Sequence, residues 1–177
     1  ANLCEMSHNK REISSDSVKT STLADPSEDS QAKSGPFANT TISALLKSCK
    51  DENELVSKLL SRKDGLNHLL LSDLNALMTQ MQTEFPDYAK VQSMGKSFEG
   101  RDINLLEISA PSAPDEKKPA IFMTGATHPR ELISTSLNMY KAVKLIQQGV
   151  IDKDPTVSKE LKDSKFYFVP ALNVDGL

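Results

Sequence analysis

The residues of this chain best suited to do chemistry lie in Gly125-Ala126-Thr127-His128-Pro129-Arg130-Glu131. His128 and Glu131 stand three positions apart and offer an imidazole nitrogen and a carboxylate oxygen, donors that zinc takes at about 2.0–2.2 Å. A catalytic zinc needs more than these two: three protein ligands and one position open to water. The spacing alone is a weak signal. A carboxylate in the first turn of a helix is favoured by the helix dipole in any case, and a neighbouring His then makes only a local hydrogen bond. Arg130, between them, reads on its own as an exposed cation at a helix start. His8 and His68 lack such a partner, being followed three positions later by Arg11 and Leu71.

The flanking sequence predicts how the segment is held. Ala120 to Thr124 (AIFMT) is a short apolar run of the kind buried on both faces of a sheet. Gly125 lets the chain turn. Pro129 biases His128 towards extended backbone and suits the first helical position, which puts Glu131 in the first turn. The helix that follows directs Ile133, Leu137, Tyr140, Val143 and Ile146 inward and stops at Gly149. Asp154-Pro155 is an N-cap and N1 pair that opens a further short helix. Phe166 to Leu172 (FYFVPAL) is another buried strand, leading into Asn173-Val174-Asp175-Gly176. Strand, helix and strand in this order predict an α/β sheet with helical crossovers, and His128 and Glu131 fall just outside the sheet edge, where such sheets bind ligands.

Upstream, Leu74, Leu77, Met78, Met81 and Phe85 share one helix face, with Ser72 as N-cap, Asp73 in the first turn and Pro86 as terminator. Val91 to Ser97 and Arg101 to Ser109 read as an antiparallel hairpin turning through Phe98-Glu99-Gly100, followed by a solvated loop from Pro111 to Lys118. Between Thr41 and Ser61, the residues Leu45, Leu46, Cys49, Leu55, Val56, Leu59 and Leu60 recur at helical spacing, as one long or two short amphipathic helices ahead of an Asp64-Gly65 turn. That region suits an inhibitory prosegment packed on an enzyme or an accessory helix equally well. Residues 1–40 are rich in Ser, Asp, Lys and Thr and poor in large apolar side chains, a composition that does not offset its ordering entropy and predicts disorder.

With 177 residues, 38% hydrophobic content and a formal net charge of −3, one modest domain with a tail fits better than two domains. The 21 Lys and Arg are scattered and form no basic stripe, which argues against nucleic acid as a partner. No run approaches the roughly 18 apolar residues of a membrane span, and residues 1–40 contain no apolar core of a signal peptide. Cys4 and Cys49 are compatible with one disulfide or two free thiols, so the redox compartment stays open.

Several consecutive blocks of the sequence resemble the zinc metallocarboxypeptidase family of the carboxypeptidase A/B type. They are Phe85-Pro86 with Tyr88, Gly95 to Arg101 (GKSFEGR), Ile103 to Ile108 (INLLEI), Pro119 to Phe122, Gly125 to Ser134 (GATHPRELIS), and Phe166 to Pro170 leading to Asn173-Val174-Asp175-Gly176. The resemblance covers residues 73–177. It implies an α/β fold, part of a mixed β-sheet with helices on both faces, preceded by a disordered segment (1–40) and a helical linker or prosegment-like region (41–72). It implies one Zn2+ with His128 and Glu131 as two of its ligands, Arg130 holding the peptide, and hydrolysis of the C-terminal peptide bond of peptides and proteins. The third zinc ligand and the general base match nothing up to Leu177. The residues that set specificity for the side chain removed are likewise absent. A chain that opens at Ala1 therefore reads as a piece of a longer enzyme, inactive alone. Pro129, Leu132 and Val174 stand where the family more usually has Ala, Trp and Pro, and the Leu132 change bears on the local substrate surface. The competing readings are a catalytically inactive relative that keeps the fold for peptide binding, and a short interaction or inhibitory protein. Secretion or vesicular storage is favoured by the resemblance alone.

Overall fold

The computed structural model describes residues 40–60, 68–112 and 118–177. The expected disorder of residues 1–39, the Asp64-Gly65 turn and the middle of the charged loop, 113–117, lie outside them, as do His8 and Cys4.

Helix α1 (Ile42–Lys47) begins at Thr41, whose hydroxyl accepts the Ala44 N–H at 3.0 Å. Its other free amides, Ile42 and Ser43, donate to the Glu84 carboxylate, so the start of α1 is fastened to the end of a later helix. Helix α2 (Glu52–Leu60) follows. Leu55 and Leu59 of α2 and Ile42 and Leu45 of α1 belong to the same core cluster as the remainder of the chain. Helices α1 and α2 are therefore packed into the same body as the sheet.

Helix α3 (Leu71–Glu84) buries Leu74, Leu77, Met78 and Met81, the stripe predicted from their spacing. Its start differs from expectation. The N-cap is Leu70, two residues ahead of Ser72, and the capping group is Asp73, whose Oδ2 accepts the Leu70 N–H at 2.9 Å from inside the first turn. Phe85, just before Pro86, ends the helix.

Strands β1 (Ala89–Lys96) and β2 (Asp102–Ile108) pair antiparallel, with an irregularity between Ser93 and Lys96. Strand β3 (Ala120–Thr124) pairs parallel with β4 (Lys165–Val169), and β4 pairs antiparallel with β2, giving the order β1-β2-β4-β3. This is a mixed four-stranded sheet with helices, as the α/β pattern predicts. The crossover from β3 to β4 runs through helix α4 (Ile133–Ile146), a π turn (Gln147–Ile151) and helix α5 (Pro155–Asp163). The Asp154 carboxylate caps α5 by accepting the Thr156 and Val157 N–H groups, with Pro155 at N1, as expected.

The core lies on the sheet face that carries Leu106, Ile108, Phe166 and Phe168, where Met139, Val143 and Ile146 of α4 and the α3 stripe join them. Asn104 of the same face is bonded to Asn75 of α3 at 2.9 Å. On the opposite face Glu107 and Tyr167 are half-buried, and Phe122 is exposed.

Three expectations are corrected. Among the described residues strand β3 lies at one edge of the sheet and not between two neighbours, and Ile121 and Phe122 are 48% and 53% exposed. Helix α4 buries Val143 and Ile146 as expected, but its first half turns a different face inward. Thr135, Ser136, Asn138, Met139, Ala142, Val143 and Ile146 are buried, whereas Ile133 and Leu137 are exposed. Tyr140 is half-buried because α2 lies over that side, its Glu52 accepting from the Tyr140 hydroxyl. Finally, Gly149 does not stop the helix. The helical path continues through the π turn to Ile151, and Gly149 packs against α5, where a Cβ would lie 2.4 Å from Leu161 Cδ1, the far end of a side chain.

Candidate metal centre

Strand β3 delivers the candidate residues through a loop that is laced to the segment after β4. The parallel ladder runs one residue past β3, with the Gly125 N–H donating to the Val169 carbonyl at 2.8 Å. The Gly125 carbonyl accepts from Leu172 at 2.9 Å, and the Ala126 carbonyl accepts from Asn173 at 3.0 Å. Gly125 is required by space. A Cβ would meet the Pro170 carbonyl oxygen at 2.6 Å, Asn138 Nδ2 at 2.9 Å and the Ser134 carbonyl oxygen at 2.9 Å. The sharp bend falls on the next residue, buried Ala126, at φ 45°, a left-handed conformation unfavourable for an L side chain. Its N–H is satisfied by Ser134 Oγ at 2.8 Å.

The chain then folds into a turn, and helix α4 begins only at Ile133. The expectation that Pro129 is the first helical residue and Glu131 part of the first turn is thus corrected. Glu131 is instead pinned by its backbone: its N–H donates to the His128 carbonyl at 3.0 Å, and its carbonyl accepts from Ser134 N–H at 3.1 Å and Ser134 Oγ at 2.6 Å. Glu131 thus stands one residue ahead of the N-cap Leu132, at the N-terminal end of α4 but outside its first turn.

This turn brings the two predicted donors together. His128 Nδ1 lies 3.0 Å from Glu131 Oε1, and the side chains are 70% and 54% exposed. An exposed pair of this kind contributes about 0–1 kcal/mol to stability, too little to explain its placement as a structural device. The donor types suit zinc, and the 3.0 Å separation is that of a hydrogen bond. Two ligands at 2.0–2.2 Å in a tetrahedral shell stand about 3.3–3.6 Å apart, a few tenths of an ångström from the spacing here. Arg130 is exposed on the same turn, while His68 is half-buried on a separate segment ahead of α3. Among the described residues, no group of three or more His, Cys, Asp or Glu forms a metal cluster.

One element of the site escaped the sequence reading. Asp175, in the Asn173–Gly176 turn, accepts from Ser97 Oγ at 2.6 Å and Arg101 Nη1 at 2.9 Å through Oδ1, and from the Glu99 N–H at 3.0 Å through Oδ2. The Ser97 hydroxyl above all, then the Glu99 amide and the Arg101 guanidinium, hold its carboxyl below the ordinary value, against an opposing effect of burial. Two blocks separated by more than seventy residues are thereby joined, the hairpin turn 97–101 and the end of the chain after β4. No local pattern signals a contact of that range.

Residues 74–177 match the model of a family described as zinc carboxypeptidase. Among curated proteins, an inactive metallocarboxypeptidase of Sclerotinia sclerotiorum is 38% identical over 114 residues, covering 62% of this chain and 19% of that protein. Carboxypeptidase B of Astacus astacus is 33% identical over 104 residues, covering 59% of this chain and 32% of that protein. Among solved structures, thrombin activatable fibrinolysis inhibitor superposes with a TM-score of 0.59 at 22% identity, over 83% of this chain and 32% of that one, a likeness of fold. The chain spans between 19% and 32% of the length of these relatives.

Proposed function

The chain belongs to the zinc carboxypeptidase family, and from that premise we propose that His128 and Glu131 are two ligands of a Zn2+ ion in a protein that removes residues from peptide C-termini. One observation carries this reading: the 3.0 Å approach of His128 Nδ1 to Glu131 Oε1 on an exposed turn at the end of β3. When bound there, zinc supplies Lewis acidity toward a peptide carbonyl and lowers the pKa of water. The chain's own contribution is to hold both donors on backbone that is itself hydrogen-bonded, so that the two attachment points are fixed before a cation arrives. Arg130 presents a permanently charged, planar donor beside them, suited to a peptide carbonyl or a terminal carboxylate.

A second reading has an observation of its own. The fungal relatives at 35% and 38% identity are named inactive metallocarboxypeptidases, which supports a protein that keeps the fold and binds peptides without turnover. Zinc content and cleavage of blocked dipeptides, measured on the full-length protein with and without chelator, separate the two. Cleavage lost to chelator and restored by zinc supports the peptidase. Zinc and peptide binding with no cleavage supports the inactive relative. A protein that takes up neither zinc nor peptide contradicts both.

A further inference from the structure

We propose that Asp175 is a positioning residue for the His128–Glu131 pair, acting through Gly176 and Pro129; this rests on the reading of that pair as metal ligands. The carboxylate joins the hairpin to the 173–176 segment through three donors from residues 97–101. That segment in turn touches the His128 loop on both sides of His128. On the near side, the Asn173 N–H donates to the Ala126 carbonyl at 3.0 Å. On the far side, Gly176 backs directly onto Pro129: a Cβ on Gly176 would lie 2.7 Å from Pro129 Cγ and 2.8 Å from its Cβ. Asn173 Oδ1 accepts the Gly176 N–H at 3.0 Å, which closes 173–176 into one compact turn. The loop is therefore gripped at Ala126 and Pro129, with His128 next to the second grip and Glu131 two residues beyond it.

Asp175 is the residue of that gripping turn whose side chain reaches the sheet hairpin. Without it, the turn keeps its internal Asn173–Gly176 bond and the burial of Val174 but loses its tie to the hairpin, and the Gly176 wall behind Pro129 is held less firmly. A pair of ligands tolerates little such freedom, because both donors must converge on one cation within a few tenths of an ångström.

The test uses the full-length protein, with zinc affinity read by competition with a chelator and amide hydrogen exchange read by segment. Asp175→Ala is expected to weaken zinc binding by about tenfold or more, in the range seen for outer-shell partners of metal ligands. Asp175→Asn, which keeps one acceptor oxygen for Ser97 and Arg101 but presents no second one to the Glu99 amide, is expected to lose less. In both variants the amides of Glu131 and Ser134 should exchange faster while those inside β2 and α4 keep their protection. A merely structural role predicts faster exchange everywhere, and that outcome overturns the proposal, as does Asp175→Ala with zinc affinity within twofold of the parent and unchanged exchange in the loop. Should Asp175→Ala fail to fold, Asp175→Asn carries both readouts. His128→Ala is the control for the underlying reading. If it leaves zinc affinity unchanged, the metal assignment fails, and loop exchange then decides whether Asp175 holds the turn.

Discussion

Gly125→Ala tests whether the His128 loop is held by close backbone packing or merely by a flexible turn. The parent residue does not have a positive φ, so alanine adopts the backbone freely and the cost is one of space. The new methyl would stand 2.6 Å from the Pro170 carbonyl oxygen and 2.9 Å from the Ser134 carbonyl oxygen. That is about 0.7 Å short of where carbon and a carbonyl oxygen come to rest, so backbone must move. The movement strains the bonds on either side, Gly125 to Val169 at 2.8 Å and Leu172 to Gly125 at 2.9 Å. Overpacking of this kind costs about 1–3 kcal/mol, and weakening two hydrogen bonds adds up to about 1 kcal/mol each. A total of about 1–5 kcal/mol lowers the melting temperature by roughly 2–20 °C for a unit of this size. Gly149→Ala is the internal comparison. Its methyl meets the movable Leu161 side chain at 2.4 Å, and alanine regains about 1 kcal/mol of helix propensity there. Thermal unfolding of the two variants in the full-length protein is the assay. Gly125→Ala melting at or above Gly149→Ala would refute the argument that the loop is fixed by rigid backbone.

Strand β3 leaves Ile121 and Phe122 exposed at a sheet edge, which predicts self-association through that edge. Phe122→Lys should raise the soluble concentration of the chain severalfold, seen by light scattering, with little change in melting temperature. The Asp175 carboxyl titrates below its ordinary 3.8 in the folded protein, so its stabilising contribution is complete above that value and is lost as pH falls through the lowered one. Protection of the Glu99 amide should therefore decline below about pH 4, and Asp175→Asn should abolish that dependence.

Much of the fold was legible because the signals are local. The α3 stripe, the Asp154-Pro155 cap and the β1–β2 hairpin each depend on residues within a few positions of one another. On α4 the large apolar residues predict the inward face at Val143 and Ile146 but not at Ile133 and Leu137. Against the loop, this helix instead buries small and polar side chains, such as Asn138, whose amide donates to the Ser134 carbonyl at 2.8 Å beside Gly125. Gly149 looked like a terminator since a helix-ending glycine and a packing glycine are the same letter. Strand β3 looked buried because its composition does not say whether a neighbour lies on each side. At the site, residue type and spacing single out His128 and Glu131 and the family resemblance adds Arg130, while the local backbone is a turn and not a helix start. Asp175 was beyond reach, as its partners lie 74 to 78 residues away.

The most direct measurement is the zinc affinity of Glu131→Gln in the full-length protein. Gln keeps the shape of this half-exposed side chain but not its charge, so the fold should persist while zinc binding falls by more than the roughly 10–100-fold typical of an outer-shell change. Unchanged zinc content in a folded Glu131→Gln protein would contradict the assignment of His128 and Glu131 as a shared cation site.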